Sequence, residues 1–251
     1  MSLSERLSGK VALVTGAADG MGLAIAQRFR REGARVVVAD LSKVRLEAAF
    51  ESPDGFHLID QDVTAEGAAE RLVNAAVEAF GSLDIVVNNA GMVKYEPAES
   101  MSDVTWNRTL DVNITAVFKI CRAAIAQLKA SGGGRIINIA SINAVRTTNG
   151  LAAYAATKAA VGALTKTLAV ELGPDRVTAN YILPGAILTG MTRPLMEADK
   201  EIKQLFESYS VLGRIGLPAD IAAAAAFLAS EDASFITGHG LAVDGGFLAK
   251  V

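Results

Sequence analysis

Seven short runs of nearly continuous aliphatic residues punctuate the chain: "KVALVTG" (10–16), "ARVVVAD" (34–40), "FHLID" (56–60), "LDIVVNNAG" (83–91), "GRIINIAS" (134–141), "VTANYILPG" (177–185) and "GLAVDGG" (240–246). They lack the alternation of polar and apolar positions that marks a strand with one wet face. Such runs predict strands buried on both sides, as in a parallel sheet. Between them lie segments with helical periodicity, among them 20–32, 64–80, 104–130 and 151–172. Alternating β and α units with right-handed crossovers predict an α/β, doubly wound, Rossmann-type sheet of seven strands with helices on both faces. The seven runs span almost the whole length without a repeat or linker, so residues 1–251 are expected to form a single domain. The least regular stretch, about 186–217, follows a strand end and carries Gly and Pro at both ends. It is expected to act as a lid over a site.

Composition narrows the function. A chain of 251 residues, 51% hydrophobic with 23 glycines, suits one large well-packed domain. The net charge of −3 offers no basic field for nucleic acid. The single cysteine, Cys121, excludes an internal disulfide, and within an amphipathic helix it reads as a small buried apolar residue. No run is long enough to span a bilayer, and "MSLSERLSGK" lacks the apolar core of a secretory leader, so a soluble cytoplasmic protein without membrane association is expected. His57 and His239 have no partners at metal-ligand spacing, so no metal site is expected. Trp106 is expected to pack near the start of helix 104–130. Arg135 and Arg146 are left open between surface and intersubunit ion pairs.

The chemistry concentrates at the ends of the runs. The first leads into "TGAADGMG" (15–22), where Gly16, Gly20 and Gly22 allow a sharp turn and close approach of a pyrophosphate to a helix N-terminus. Asp40 ends the second run at close to the roughly 20-residue offset of an acid that binds the adenosine ribose hydroxyls. A carboxylate there repels a 2′-phosphate. The glycine loop holds no Arg or Lys, and Asp19 adds negative charge, so NAD is favoured over NADP. The competing reading of Asp40 is a helix cap, a role that Ser42 can fill. Asp62, after the third run, either accepts from the adenine amino group or caps the helix starting near Thr64. In "NNAG" (88–91) the amides can tie neighbouring strand ends together, and Gly91 permits close ligand approach; an ordinary turn has the same composition.

"LAAYAATKAA" (151–160) places Tyr154 and Lys158 four apart, on one face of a helix. An ammonium beside a phenol favours the phenolate, so the pair can serve as a general acid/base. By itself the pair also fits an exposed helical surface. Ser141, at the end of the fifth run, supplies a hydroxyl where open α/β sheets build their sites. Asn113 interrupts helix 104–130, either holding a kink or an ordered water or bonding backbone as a buried amide.

Together these motifs resemble the short-chain dehydrogenase/reductase family, in its compact branch of about 250 residues. The resemblance rests on "TGAADGMG", "NNAG", Asn113, Ser141, "YAATK" (154–158), "PGAILT" (184–189) and "VDGG" (243–246), in the family's order along the full chain. It implies an NAD-dependent oxidoreductase in which Tyr154 exchanges a proton with the substrate oxygen and Ser141 orients that oxygen. Lys158 would lower the tyrosine pKa and bind the nicotinamide ribose, and Asn113 would hold a water leading to solvent. It also implies cofactor contacts from Gly16, Asp19, Gly20, Met21 (where Ile is usual) and Gly22, from Asp40 and Leu41, and from Asp62 and Val63 beside adenine. Asn89, Ala90 and Gly91 would line the nucleoside, and Pro184, Gly185, Ile187 and Thr189 the nicotinamide end. Relatives of this kind commonly form homotetramers through the helices after strands four and five and through "VDGG".

Substrate contacts are expected from Ser141, Asn143, Tyr154 and Ala186, with Met92, Val93, Ile142, Ala144, Met191 and Met196 nearby. This mostly apolar set suits a small-molecule secondary alcohol or its ketone: a polyol, sugar or cyclic alcohol. Two alternatives stand beside it. One is a 3-oxoacyl-thioester reductase, which would favour NADPH. The other is a non-catalytic dinucleotide-binding sensor, which the complete Ser141, Tyr154 and Lys158 set disfavours.

Overall fold

All five residues of β1 (Val11–Thr15) are buried, and successive side chains enter opposite layers of the core: Ala12 and Val14 on one side, Val11 and Leu13 on the other. The same division holds in β2 (Arg35–Asp40), where Val36 and Val38 face away from Val37 and Ala39. A strand sandwiched this way has no wet face, so its sequence carries no polar alternation. The structure is a computed structural model, and it describes residues 5–51, 54–190, 192–193 and 199–250.

The remaining strands are β3 (Phe56–Asp60), β4 (Ile85–Asn88), β5 (Arg135–Ile139), β6 (Thr178–Pro184) and β7 (Gly240–Val243). All pair in parallel, in the order β3-β2-β1-β4-β5-β6-β7. The helices are α1 (Gly20–Arg31), α2 (Lys43–Ala49), α3 (Ala68–Phe80), α4 (Asp103–Leu110), α5 (Ala116–Ala130), α6 (Ala152–Leu172), α7 (Lys200–Tyr209) and α8 (Pro218–Ala229). Side chains of α1, α2 and α8 build one core layer, and those of α3, α5 and the end of α6 build the other. β2 and β3 lie to one side of β1, and β4 onward to the other. The connections leaving β1 and β4 therefore diverge, and a crevice opens at the carboxyl ends of these strands.

Three segments differ from the sequence expectation. The helix expected over 64–80 begins at Ala68, because Asp62 first closes a turn through Thr64, and Gly67 enters the helix at a left-handed φ of 69°. The helix expected over 104–130 is broken by a π-helical turn at Asp111–Thr115, with Asn113 inside it. The irregular stretch 186–217 contains a regular element, α7, which Asp199 caps by accepting from the backbone of Glu201 and Ile202. The expected positions Met191 and Met196 lie outside the described residues. Among the described residues no helix is long and apolar enough to cross a membrane, and no group of His, Cys, Asp and Glu is placed to hold a metal ion.

Phe29, fully buried on α1, anchors the layer shared with α8. Truncating a buried phenylalanine removes its burial and leaves a cavity, together worth about 3–5 kcal/mol. Phe29→Ala is expected to lower unfolding stability by that order in urea titration; a loss below about 1 kcal/mol would show that this layer does not hold the fold.

Candidate active site

At the crevice, the end of β4 is bound to the end of β1. The Asn89 amide donates to the carbonyls of Thr15 and Gly16, each at 2.9 Å. The Thr15 hydroxyl accepts from the backbone of Asn89 and Ala90 at 3.1 Å. The turn after β1 then reverses tightly. Gly16 sits at φ 64°, and a β-carbon on Gly22 would overlap the Gly16 carbonyl oxygen. α1 starts against this turn, and its first residues Gly20 and Met21 line the groove, so the helix N-terminus borders it, a placement suited to a pyrophosphate. Asp19 caps α1 by accepting from Gly20 N at 2.6 Å, and it pairs with Arg45 of α2 at 3.3 Å. Gly22 is a packing residue under the turn.

Asp40 does not cap α2; Ser42 does, by accepting from Arg45 N. The Asp40 carboxylate instead accepts from Ala18 N at 3.0 Å and Leu41 N at 2.8 Å, so it pins the glycine loop from beside the groove. Asp62 accepts from Thr64 through one oxygen and from Arg108 at 3.2 Å through the other. Burial works against its ionisation, but the Thr64 and Arg108 hydrogen bonds hold the carboxyl below its ordinary range. A groove of about 620 Å³ runs past these groups, from Asp40 and Asp62 through Asn89, Ala90 and Gly91 to Tyr154, Lys158 and Thr189.

A second cavity, of about 770 Å³, meets the groove at Tyr154. Ser141, Asn143, Pro184, Gly185, Ala186 and Ile187 line it. The Ser141 hydroxyl opens a short 3-10 turn and accepts from Asn143 twice, from the backbone N–H at 3.1 Å and from the side-chain amide at 3.2 Å. With both lone pairs occupied, the group this hydroxyl has left to offer is its proton. Lys158 is buried under Tyr154. Its Nζ lies 5.7 Å from the phenol ring centre and donates to the Ile139 carbonyl at 2.8 Å. A β-carbon on Gly91 would come within 3.5 Å of this Nζ and 3.4 Å of Asn113 Oδ1. The Asn113 amide bonds both backbone groups of Met92 at 2.9 Å and the Thr157 hydroxyl at 3.3 Å. It thereby fastens the π-helical turn to the loop after β4 and to α6.

These residues fit a dinucleotide on grounds of their own geometry. The glycine turn admits no side chain: Gly16 and Gly20 take left-handed φ values of 64° and 56°, and Gly22 packs directly on the Gly16 carbonyl, so only backbone faces the groove there. Lys158 is a buried ammonium with three donors and, among the described residues, a single protein acceptor, the Ile139 carbonyl. The comparisons with known proteins agree. A family model described as enoyl-(acyl carrier protein) reductase matches residues 16–248. The chain is 41% identical to the 2,5-dichloro-2,5-cyclohexadiene-1,4-diol dehydrogenase LinX of Sphingobium indicum, over 99% of this chain and 100% of that protein. It is 40% identical to a 3-alpha-(or 20-beta)-hydroxysteroid dehydrogenase of Mycobacterium tuberculosis, over 98% of this chain and 92% of that one. A solved structure described as "Crystal structure of gox2181" superposes with a TM-score of 0.92 at 33% identity, covering 98% of both chains.

The chain belongs to the short-chain dehydrogenase/reductase family. As a member it is an oxidoreductase of CH–OH groups that works with a nicotinamide cofactor.

Several positions in this dehydrogenase/reductase differ from expectation. The sequence reading has Lys158 lowering the tyrosine pKa, but burial pushes the Tyr154 phenol up; Ser141 opposes the rise and Tyr95 adds to it. Burial also pushes the Lys158 ammonium down, to about 8. Each group is disfavoured in its charged form because water is excluded around both. Met92 lines the nucleotide groove rather than the substrate cavity, and Ala144 lines neither. Arg45 and Arg108 reach the groove from α2 and α4, a contribution that the glycine-loop motif does not announce. The cavity also takes Tyr95 and Arg146 from loops, Phe206 and Tyr209 from α7, and Phe247 and Lys250 from the C-terminal turn. Their positions become visible only when distant segments are brought together.

The remaining single residues resolve simply. Cys121 is fully buried beside the Asn88 amide, and its thiol is pushed up to about 12. Arg135 is buried and pairs with Glu231 at 3.1 Å, while Arg146 faces the cavity. His57 stacks edge-on to Phe80, and Trp106 is 39% exposed.

The Lys158 shift has a consequence for stability. The folded enzyme releases this proton near pH 8, whereas the ordinary value is 10.5. Between these limits the unfolded chain binds more protons, so stability gains with rising pH. The stability of the parent minus that of Lys158→Met is expected to increase from pH 8 to 10 in urea titrations without cofactor. A difference that stays flat would mean that the buried amine keeps its ordinary pKa.

Proposed function

We propose that the protein is an NAD-dependent dehydrogenase of a secondary alcohol, with Tyr154 as general acid/base and Ser141 holding the substrate oxygen. The observation that carries this reading is the meeting of the two cavities at Tyr154, with the Ser141 hydroxyl lining the one and Lys158 lining the other. The bound nicotinamide supplies or accepts the hydride. The chain's own groups do the rest. The Ser141 hydroxyl donates to the substrate oxygen. The Tyr154 phenol gives that oxygen a proton in ketone reduction and takes one in alcohol oxidation. The Lys158 ammonium, held on Ile139, offers its two other N–H groups to the nicotinamide ribose and stabilises phenolate. Asn113, with its amide spent on Met92 and Thr157, positions the π-helical turn beside Lys158. Since burial favours the neutral phenol, oxidation gains with rising pH and reduction with falling pH.

The preference for NAD over NADP rests on the Asp40 carboxylate at the groove and on the engagement of both nearby arginines, Arg45 and Arg108, with Asp19 and Asp62. The relatives named as dehydrogenases of a cyclic diol and of hydroxysteroids support a cyclic alcohol among the polyol, sugar and cyclic candidates. The lid is proposed to include α7, whose Phe206 and Tyr209 reach the cavity. A homotetramer is supported by Phe118 of α5 and Val170 of α6, which are 44% and 80% exposed in the single chain.

The decisive assay compares NAD⁺ and NADP⁺ across polyols, sugars and cyclic alcohols, with acetoacetyl-thioester reduction by NADPH as the rival. Turnover is expected with NAD⁺ and a cyclic secondary alcohol. A dominant thioester reduction with NADPH would replace this reading by the reductase that the family model's description names. Tyr154→Phe is expected to reduce kcat by at least about a thousandfold while NADH still binds, measured by fluorescence titration; retained turnover would remove Tyr154 from the mechanism.

Asn143 acts through Ser141. Asn143→Ala is expected to lower kcat about tenfold, and to cost little more once Ser141 is already alanine. Equal losses in the two backgrounds would make Asn143 a simple substrate contact.

A further inference from the structure

The substrate cavity has a charge character that the whole molecule lacks. The protein carries a net charge of −3. Yet the cavity wall includes two cationic side chains, Arg146 and Lys250, and among the described residues no carboxylate lines it. The nucleotide groove is built differently. There Arg45 is paired with Asp19 at 3.3 Å and Arg108 with Asp62 at 3.2 Å.

Nothing comparable restrains the cavity pair. The Arg146 guanidinium lies 5.3 Å over the Phe247 ring and donates to the Lys250 carbonyl at 3.4 Å. Lys250 Nζ donates to the Ser208 carbonyl at 2.6 Å. Neither makes an ion pair among the described residues. The nearby acids are engaged elsewhere. Asp244 accepts from the backbone of Gly246 and Leu248, Glu207 pairs with Lys203 at 3.8 Å, and Glu96 with Lys94 at 3.1 Å.

Arg146 is also well placed. It follows the 3-10 turn that Ser141 opens, and its own N–H donates to the Ile142 carbonyl at 2.9 Å. Its stem thus starts from the loop that presents the reacting hydroxyl. A guanidinium backed by an aromatic ring keeps its in-plane donors open to a carboxylate or phosphate. Two unpaired, solvent-exposed cations on the cavity wall raise the local concentration of anions, an effect that salt screens.

We propose that the substrate is an anionic alcohol or ketone, with its carbinol carbon at Ser141 and Tyr154 and a carboxylate or phosphate held by Arg146, Lys250 adding to the field. This rests on the dehydrogenase reading and narrows its substrate class. A cavity of about 770 Å³ has room for a skeleton that joins the two ends.

The test uses matched pairs with the purified enzyme: 3-hydroxycyclohexanecarboxylate against its methyl ester, and sorbitol 6-phosphate against sorbitol. Both kcat/KM with NAD⁺ and affinity by calorimetry with NADH present are measured. The charged member is expected to win by about ten- to a hundredfold in at least one pair, the size of a hydrogen bond to a charged group. That ratio is expected to shrink with added salt and to fall about tenfold in Arg146→Gln. The pair that shows it tells carboxylate from phosphate. The ratio is internal to each variant, so loss of folded enzyme cancels. A neutral member that binds and turns over as well as its charged partner in both pairs would overturn the proposal, as would a ratio unmoved in Arg146→Gln/Lys250→Gln. If no pair turns over, the calorimetric ratio still decides the charge preference, and the dehydrogenase reading is judged separately by the wider alcohol panel.

Discussion

The bond between two strand ends organises this molecule. Asn89, at the end of β4, fills its amide with the carbonyls of Thr15 and Gly16 at the end of β1. β1 and β4 are where the sheet changes direction, so their exits would otherwise part without contact. Tying them fixes the floor of the crevice. The Gly16 turn, the start of α1 and the close packing of Gly22 all follow from that floor. The same glycine turn and helix start line the groove, so the geometry that closes the fold also shapes the site where a dinucleotide would lie.

The proton-handling groups rely on a second constraint, the exclusion of water beneath α6. Tyr154 and Lys158 are four residues apart on one helical face, but their mutual orientation comes from β5, whose Ile139 carbonyl holds the ammonium. Burial disfavours charge on both groups. Reactivity therefore depends on what fills the groove and completes the hydrogen bonds of Lys158. Ser141 is treated differently. Asn143 occupies its acceptor sites and leaves it a donor. One site thus brings together a buried phenol, a hydroxyl and a cation, each tuned by a different neighbour.

The two cavities that meet at Tyr154 are also balanced differently. In the nucleotide groove each arginine is matched by an aspartate, and in the substrate cavity Arg146 and Lys250 are unmatched. This contrast arises from parts of the chain remote in sequence: α2 and α4 on one side, and the turns after β5 and β7 on the other.

Much of the molecule was legible in its residues. The aliphatic runs mark the strands because a strand covered on both faces, as β1 and β4 are, is largely apolar, while the edge strands β3 and β7 keep half-buried or exposed positions. Tyr154, Lys158, Ser141 and Asp40 were identifiable because strand ends and helical spacing put them on one edge of any parallel sheet. What required tertiary structure was everything set by neighbours from elsewhere in the chain. The π-helical turn at Asn113 exists because its amide is claimed by Met92 and Thr157, and local propensity contains no record of them. The Tyr154 phenol shifts up rather than down, and the Lys158 ammonium shifts down, because desolvation depends on packing density, whereas spacing reports only proximity. The cations of the substrate cavity emerged because Arg146 and Lys250 are brought to one wall by the closing of β5 and β7 around β6. Sequence determined the sheet and the chemistry on its edge, since both follow from periodicity; folding alone decided protonation, kinks and cavity charge, since these depend on what distant segments exclude or supply.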